Sequence, residues 1–542
     1  MPESQLSTQR LDHLGLVAGV CREIGLIEQI DARLGSTHRK VSVGEAVQAM
    51  VLNALGFVGR ALYLTPEFFH NKPVDLLIGE GLTAEDFNDD SLGRALDSLY
   101  EAGVTEVFAQ VASQALRVYQ IEHQFVHLDS TSFALHGQYD RDATDPACIT
   151  VTQGYSKDQR PDLKQVVVSL ITSQRWAIPV WLEVLSGNQA DRKSFVPTLQ
   201  AYTTSLQESE VPYFVADSAL YSAENLRTLS SLRWVSRVPE TLHEAQELLT
   251  TVKREEMKPL GQEGYVGYEH RSCYGGVEQR WLVVFSEPAQ RREQASWEKR
   301  LARHRKQAVK ELRAVSQRRF ACVADARQAV EQVQRDWRYH RAQVQIEAVK
   351  HYGRRGRPKP GAAPEAVTYR VVGTVVEETA AIAEATRSQG KFILATNETG
   401  AQALPAEQLL AVYKAQGISV ERGFRFLKDP LFFADSLFLK RPERLMALLM
   451  VMGLALLIYA LAERRVRRAL AQQAETIPDQ KGQPTPRPTM RRIFQMFEGI
   501  DLLLIRRGDQ IHERRLLNLT SIHYQILDLL GPEVQKCYLL KT

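Results

Sequence analysis

Three acidic residues in separate parts of the chain lie beside apolar stretches. Asp129 ends the run FVHLD, Asp217 ends the run PYFVAD, and Glu421 belongs to VERGFRFLKDP (Val420–Pro430). Carboxylates are hard oxygen ligands that suit Mg²⁺ or Mn²⁺. Acids that converge from separate elements can hold such ions for phosphoryl transfer. We therefore expect a metal-dependent phosphoryl-transfer site built from these three residues.

The stretch around Glu421 has the spacing of an amphipathic helix. Val420, Phe424 and Leu427 recur at i, i+4 and i+7, which predicts one buried apolar stripe. Glu421 and Arg425 follow the same spacing one position along and share an adjoining face. Taken alone, that face is also typical of a solvated surface with an i,i+4 ion pair. The two strand-end aspartates favour the functional interpretation.

Length and composition indicate an ordinary soluble globular protein. The chain has 542 residues, of which 44% are hydrophobic and 24% charged, so two to four domains are expected. Its five cysteines are scattered and form no CxxC or Cys/His cluster. Neither a disulfide framework nor a zinc site is indicated, and a reducing cytoplasm fits. The N-terminus lacks the charged-then-apolar pattern of a secretion signal.

Charge is unevenly distributed along the chain. The net charge is only +4, but the segment Arg291–Lys359 holds 20 Lys and Arg against 7 Asp and Glu. This local excess of +13 leaves about −9 for the rest of the chain. Such asymmetry favours a polyanionic partner for the basic segment.

One apolar run has the length of a membrane span. Leu445–Ala462 is 18 residues long without a charge. The alternative is a helix buried inside a large soluble domain. We favour the buried helix and expect no membrane partner, because no second span exists and the flanking residues belong to one globular pattern.

The order of predicted elements divides the chain into five regions. Residues 1–120 are helical and form either a DNA-reading module or a dimerisation or packing layer. Residues 121–240 alternate strands and helices, which is an α/β order. Residues 241–390 interrupt it with a strand hairpin, two long antiparallel helices over Arg291–Tyr352 and a Pro/Gly-rich linker. Residues 391–475 resume the α/β domain, and 476–542 are a helical C-terminal region.

Several motifs in this order carry a resemblance to a known family. They include HLDSTSF, GYSKDQRPDLKQ, SGNQADRKSF, VADSALYSAENL, FILATN, VERGFRFLKDP and PRPTMRRIF. In order and spacing the chain resembles the DDE transposases of bacterial insertion sequences. The resemblance implies an α/β fold with an RNase H-like mixed sheet, interrupted by an insertion before the Glu and flanked by helical terminal regions.

The resemblance also implies a function and a site. Asp129, Asp217 and Glu421 would be the catalytic acids and would bind two Mg²⁺ or Mn²⁺ ions. The enzyme would bind the terminal inverted repeats of its element and catalyse DNA cleavage and strand transfer into target DNA. A homodimer on double-stranded DNA is expected, in the bacterial cytoplasm near the nucleoid. The alternatives are an RNase H-like nuclease or resolvase without strand transfer, and a non-catalytic DNA-binding derivative.

Part of the family's DNA-contact signature is present. Lys428 follows Glu421 by seven residues, as in relatives with a Tyr, Arg, Glu, Lys signature. Lys414 and Gly417 occupy the Tyr and Arg positions, so those two contacts cannot be carried over. Lys414, Arg422 or Arg425 are then candidate substitutes for binding DNA.

Other DNA-contact candidates have structural alternatives. Lys157 and Arg160 would line the DNA path, or be solvated surface charges. Trp234 would stack on a flipped base, as related enzymes do with a Trp in this neighbourhood, or pack in the core. Arg355 and Arg357 in the sequence RGRP would enter an A·T-rich minor groove, or belong to a linker.

Further acids and a histidine lie near the motifs. Asp158, Asp162 and Asp191 occupy polar turns, so direct metal ligation by them is the minor interpretation. His127 shares a strand face with Asp129. We expect it to be a packed histidine rather than a ligand.

Overall fold

The computed structural model describes most of the chain, namely residues 4–35, 39–57, 62–137, 139, 148–206, 211–353, 363–429, 439–508 and 510–539. The side chains of 418 and 419 are not described.

The strands, in chain order, are β1 Ser4–Arg10, β2 Phe125–Leu135, β3 Lys164–Ser173, β4 Pro179–Ser186, β5 Tyr213–Ala216, β6 Trp234–Arg237, β7 Lys258–Pro259, β8 Tyr265–Tyr274, β9 Val277–Ser286, β10 His340–His351, β11 Ala366–Glu377, β12 Lys391–Thr396, β13 Ile477–Pro478, β14 Pro484–Thr485, β15 Asp501–Arg507 and β16 Gln510–Leu517.

The helices are α1 Leu14–Glu23, α2 Leu26–Leu34, α3 Val43–Leu55, α4 Thr65–Phe69, α5 Val74–Leu77, α6 Asp89–Glu101, α7 Val104–Val118, α8 Asp191–Ser205, α9 Ala223–Thr228, α10 His243–Thr251, α11 Glu287–Ser316, α12 Val323–Gln334, α13 Thr379–Thr386, α14 Ala406–Leu427, α15 Pro442–Gln473, α16 Met490–Met496, α17 Ser521–Leu530 and α18 Pro532–Cys537.

A nine-stranded mixed sheet organises the molecule, in the order β4-β3-β2-β5-β6-β12-β9-β8-β7. Strands β2, β5 and β6 run parallel, and the other pairs are antiparallel. This mixed α/β arrangement confirms the expected RNase H-like fold class. Strand β2, the first strand of this sheet in chain order, is an inner strand, and β5 lies beside it, as predicted.

The sheet changes the predicted boundary of the insertion. Strand β12 lies between β6 and β9, so β7, β8 and β9 extend the main sheet. The hairpin that turns at Gly275 therefore belongs to this sheet and not to a separate insertion. Of the segment 241–390, residues 287–353 and 363–377 form a smaller layer with its own apolar core, which includes Leu312 and Val371.

Helices cover both faces of the sheet. Helices α14 and α15 share a core with β3, the N-terminal helices and the C-terminal region. Helices α8, α9 and α10 pack in a second core on the opposite face. Burying apolar side chains on both faces is the main stabilising contribution, at about 25 cal/mol per Å² removed from water.

The apolar run is the centre of the larger core. Helix α15 is long and apolar enough to cross a membrane, yet its apolar window is completely buried inside the protein. This confirms the interpretation as a core helix. Helices α1, α3, α6, α7 and α17 pack against α15, so the N-terminal helices lie against the main domain. Strand β1, which the sequence did not predict, pairs with β15 near the other end of the chain.

The basic region differs from its prediction. Helix α11 is a 30-residue helix as expected, but only α12 follows as a second helix. The remainder, predicted as helix, is strand β10, paired with β11 in a two-stranded antiparallel ribbon of 12 residues per strand. The sequence HRAQVQIEAVKH alternates in period two, which is the strand signal that the helical interpretation overlooked.

Candidate active site

Asp129 and Asp217 lie level with each other on neighbouring strands. Strand β2 pairs with β5 in parallel, with His127 opposite Val215. Two residues further along come Asp129, within β2, and Asp217, the first residue after β5, and strands in a sheet are about 4.8 Å apart. Asp129 does not end its strand as predicted, because β2 continues to Leu135. Asp129 lies just beyond the last residue of β2 that pairs with β5, so its carboxylate is accessible at the end of the paired segment.

The Glu421 helix packs on the same face of the sheet. Phe125 belongs to the core formed with the first half of α14, and Phe133 belongs to the core formed with its second half. Side chains two residues apart on a strand share a face, so Asp129, between Phe125 and Phe133, faces α14. The hydroxyl of Tyr413 on α14 lies within electrostatic reach of both Asp217 and Glu421. Burial is the largest cause that raises the pKa of Tyr413, and the charges of these two acids raise it further.

The predicted stripe of α14 is buried. Val420, Phe424 and Leu427 are 0%, 6% and 2% exposed. Gly423 lies between Leu170 of β3 and Leu456 of α15, where an added Cβ would approach both leucines to 3.2–3.3 Å. Helix α14 is thus packed between the sheet and α15, and Glu421 lies on the exposed side of α14.

A lysine and a fourth carboxylate complete the acidic group. The Nζ of Lys157 lies 3.6 Å from Oδ1 of Asp129 and 3.0 Å from Oδ2 of Asp191. Lys157 also donates to the carbonyl of Ser130 at 2.5 Å, and the Ser130 hydroxyl donates to Asp191. Asp191 is the first residue of α8. Asp191 is predicted to occupy a polar turn but begins α8, and no local pattern shows that the start of this helix meets the middle of β2.

The two strand aspartates are held in a low-dielectric, acidic environment. Burial raises the pKa of Asp129 to about 6, with Asp217 and Asp191 adding repulsion and Lys157 opposing it. Burial also raises the pKa of Asp217, while the amide of Ala219, which donates to its Oδ1 at 2.9 Å, acts in the opposite direction. A cation is the partner that offsets such a group of charges.

The carboxylate oxygens of this acidic group are the type of ligand that suits a hard divalent ion. Asp129, Asp217 and Asp191 are carboxylates, and Lys157 already supplies positive charge among them. Among the residues that the structure describes, however, no three His, Cys, Asp or Glu side chains lie close enough together to form a ready metal site. Glu421 is on the correct face but is not drawn into a ligand set with the aspartates.

Two predicted DNA-contact cations are paired with nearby aspartates. The Nζ of Lys428 donates to both carboxylate oxygens of Asp158 at 2.7 Å. Arg160 makes a two-pronged contact with Asp162 at 2.8–2.9 Å. The Lys428 pair links the end of α14 to the segment that carries Lys157, so this segment lies over the acidic group.

The remaining predicted contacts fall in different places. Arg422 pairs with buried Glu463 of α15, so its guanidinium is engaged with the core helix. Arg425 is exposed. Trp234 is fully buried in the second core, so its predicted stacking on a base is wrong and the packing alternative applies. Arg355 and Arg357 lie outside the described residues.

His127 is packed, as expected. Its side chain is fully buried and burial lowers its pKa to about 3, so the ring is neutral. It lies on the same strand face as Asp129, two residues earlier, beneath α14.

Comparison with protein families identifies the chain. The sequence matches the family described as "Transposase DDE domain" over residues 121–458, more than half of the chain. The protein is a member of the DDE transposase family. Residues 6–113 match a domain of unknown function, DUF4277. No curated protein matches the sequence closely enough to count as a relative. Members of this family generally use divalent metal ions, and the transposase has its acidic group within the matched region.

Solved structures with weak similarity are also transposases. The piggyBac transposase synaptic complex with hairpin DNA is 12% identical, with 91% of this chain and 82% of that chain covered and a TM-score of 0.37. The Mos1 transposase paired-end complex with left transposon end is 14% identical, with 27% and 49% covered and a TM-score of 0.15. These scores are too low to transfer any feature to this transposase.

Proposed function

We propose that Asp129, Asp217 and Glu421 are the catalytic acids of this transposase, acting on the terminal inverted repeats of its own element and on target DNA. The observation that carries the proposal is the shared face of β2, β5 and α14. Asp129 on β2 and Asp217, directly after β5, are half-buried on that face, and Glu421 lies on the helix that packs against it. This shared face supports the proposal that acids 88 and 204 residues apart in the chain act in one site.

The three acids would hold two Mg²⁺ or Mn²⁺ ions, which when bound supply activation of water and stabilisation of the leaving oxygen. Lys157, now paired with Asp129 and Asp191, turns toward DNA phosphate once the carboxylates have another cation. Lys428 and Arg425 at the end of α14 bind phosphates beside the cleaved bond. Water would break the P–O3′ bond at the element end and free a 3′-hydroxyl. This hydroxyl would then attack a phosphorus of the opposite strand or of target DNA and displace the 3′-oxygen of that strand. A homodimer in the cytoplasm would hold both element ends.

The test uses amide variants of the acids in the full chain. Asp129→Asn, Asp217→Asn and Glu421→Gln should each keep binding to terminal-repeat DNA and lose Mg²⁺-dependent cleavage and joining. Asp162→Asn is the matched control, because Asp162 is an exposed aspartate in a neighbouring motif, and it should cleave like the wild type.

The outcomes separate the alternatives. Cleavage without joining by the wild type would favour a nuclease or resolvase. Wild-type cleavage by Asp129→Asn would overturn the assignment of the triad. Binding without any cleavage by the wild type, under Mg²⁺ and Mn²⁺, would leave only a DNA-binding role.

A further inference from the structure

A large cleft lies at the end of the sheet away from the acids. It has a volume of about 1640 Å³ and lies between α7, the end of α8, α15 and the sheet end where β2 and β5 begin. Pro212, in its wall, precedes β5, whereas Asp217 follows it. Five residues of extended chain span about 16 Å. The cleft is therefore separate from the acidic group.

The charge of the lining is strongly positive. Among the described residues the cleft is lined by two acids, Glu106 and Glu122, and by six arginines: Arg33, Arg117, Arg175, Arg233, Arg464 and Arg468. Glu208 and Glu210, between Leu206 and Val211, lie outside the described residues. Within the part of the chain that the structure describes, Arg117, Arg175 and Arg468 form no ion pair with a carboxylate.

Buried donors without partners lie in the same wall. Arg464, Trp181 and Tyr202 are 7%, 4% and 2% exposed. Among described residues, the Nε of Arg464, the Nε1 of Trp181 and the hydroxyl of Tyr202 have no hydrogen-bond partner. A buried donor without a partner destabilises the folded state. The other two nitrogens of the Arg464 guanidinium donate to the carbonyls of Tyr119 and Gln120, and burial and the nearby charge of Arg468 lower the pKa of Arg464.

We propose that this cleft binds the phosphodiester backbone of DNA at a distance from the cleaved bond. Guanidinium groups present a fork of donors that matches phosphate oxygens, and three of the arginines in the lining are exposed and have no carboxylate partner among the described residues. Trp176 adds a half-buried ring with Arg175 and Arg464 at 5.5 and 5.8 Å from its centre, a combination suited to nucleic acid. The cleft volume exceeds that of small-molecule pockets, which favours a macromolecular strand. The choice of DNA rests on the proposed function.

The test combines three exposed arginines of the cleft in one variant. Arg117→Gln/Arg175→Gln/Arg468→Gln should lower the slope of log Kd against log salt for duplex DNA by about 2–3 units, because each phosphate that is no longer neutralised removes about 0.9. The control variant, Arg94→Gln/Arg227→Gln, removes exposed arginines outside the cleft and should leave the slope unchanged. Thermal unfolding of both variants should match the wild type.

Two duplexes distinguish the source of the phosphate. If the cleft takes the flank of the DNA being cleaved, the triple variant weakens binding of a long duplex but not of one that covers only the acidic group. If it takes a separate DNA molecule, the variant lowers the number of duplexes bound per protein. Both results support the proposal.

An unchanged slope and unchanged stoichiometry would overturn it. If the triple variant instead alters the oligomeric state alone, the cleft takes an acidic protein segment and the proposal is also wrong. Failure here is separable from failure of the proposed function, because binding is measured without metal. The wild type could still cleave terminal-repeat DNA when the cleft variant binds normally.

Discussion

The Nζ of Lys157 lies 3.0 Å from Oδ2 of Asp191, and so places an ammonium group beside the carboxylates of the acidic group. The contact joins the segment after residue 148 to the start of α8, across the middle of β2. Lys157 thereby provides the positive charge that the buried aspartates need. A divalent ion bound there would compete with the lysine for the same oxygens.

Replacing Lys157 by Gln should make the protein depend more on metal for stability. Without the lysine, repulsion among the aspartates should lower the free energy of unfolding by about 1–2 kcal/mol in EDTA, since a partly buried charge group loses its counterion. Added Mg²⁺ or Ca²⁺ should restore more stability to the variant than to the wild type, because a ligand that binds the folded state tighter stabilises it more. Thermal unfolding with and without metal measures this.

Lys193→Gln is the control for that experiment, since Lys193 is an exposed lysine two residues after Asp191. It should respond to metal like the wild type. Equal metal-induced shifts in Lys157→Gln and the wild type would show that Lys157 does not compete with the ion.

Two changes on α14 should separate packing from chemistry. Phe424→Ala leaves a cavity between the sheet and α15 and should cost about 3–5 kcal/mol of unfolding free energy. Glu421→Gln alters an exposed side chain and should change stability by no more than about 0.5 kcal/mol, while cleavage is lost. Chemical denaturation and a nicking assay on the same preparations test both. A stable Glu421→Gln protein that nicks DNA normally contradicts the role of Glu421.

The basic helix α11 should contribute non-specific DNA affinity. Arg292, Arg303, Arg305 and Arg313 are exposed on it. Replacing all four by Gln keeps helix propensity and should flatten the salt dependence of DNA binding, by up to about 0.9 unit for each phosphate that an arginine had neutralised. Anisotropy titrations across salt concentrations give the slope, and circular dichroism checks the helix. An unchanged slope would assign this basic face to packing or dimerisation.

Stability should fall in mild acid because of His13. Burial lowers the pKa of His13 from 6.5 to about 4, and its Nε2 contacts the carbonyl of Leu55 at 2.9 Å. Below about pH 6.5 the His13 ring of the unfolded chain binds a proton, whereas the same ring in the folded chain binds it only near pH 4. The neutral, buried His13 ring therefore makes its full contribution to the stability of the folded state above about pH 6.5. This contribution, up to about 3 kcal/mol, is lost as the pH falls from about 6.5 to about 4.

His13→Gln can keep a donor toward Leu55 but does not titrate, so its unfolding free energy should decline less between pH 7 and 4.5. His127, also buried with a lowered pKa, contributes equally to both proteins. The difference between the two pH curves thus isolates His13, and parallel curves would contradict the prediction.

Local sequence patterns were sufficient for the elements around the site. The apolar runs before Asp129 and Asp217 predicted β2 and β5, and β5 has the predicted bounds Tyr213–Ala216. The i, i+4, i+7 stripe predicted the buried face of α14. These succeed because strand and helix periodicities express which side chains a single element turns toward the core. The alternation in β10 carried the same information, but the charge of its surroundings led to the helical interpretation.

The sequence alone therefore determined the family, the fold class, the candidate acids and the burial of the α15 helix, because ordered motifs or apolar runs indicate each of them. Only the tertiary structure decided that Asp191 and Lys157 join the acidic group, that Arg422 pairs with Glu463 and that β12 enters the sheet between β6 and β9. The physical reason is that these contacts join residues distant in the chain. No periodicity within one element encodes which remote element will pack against it.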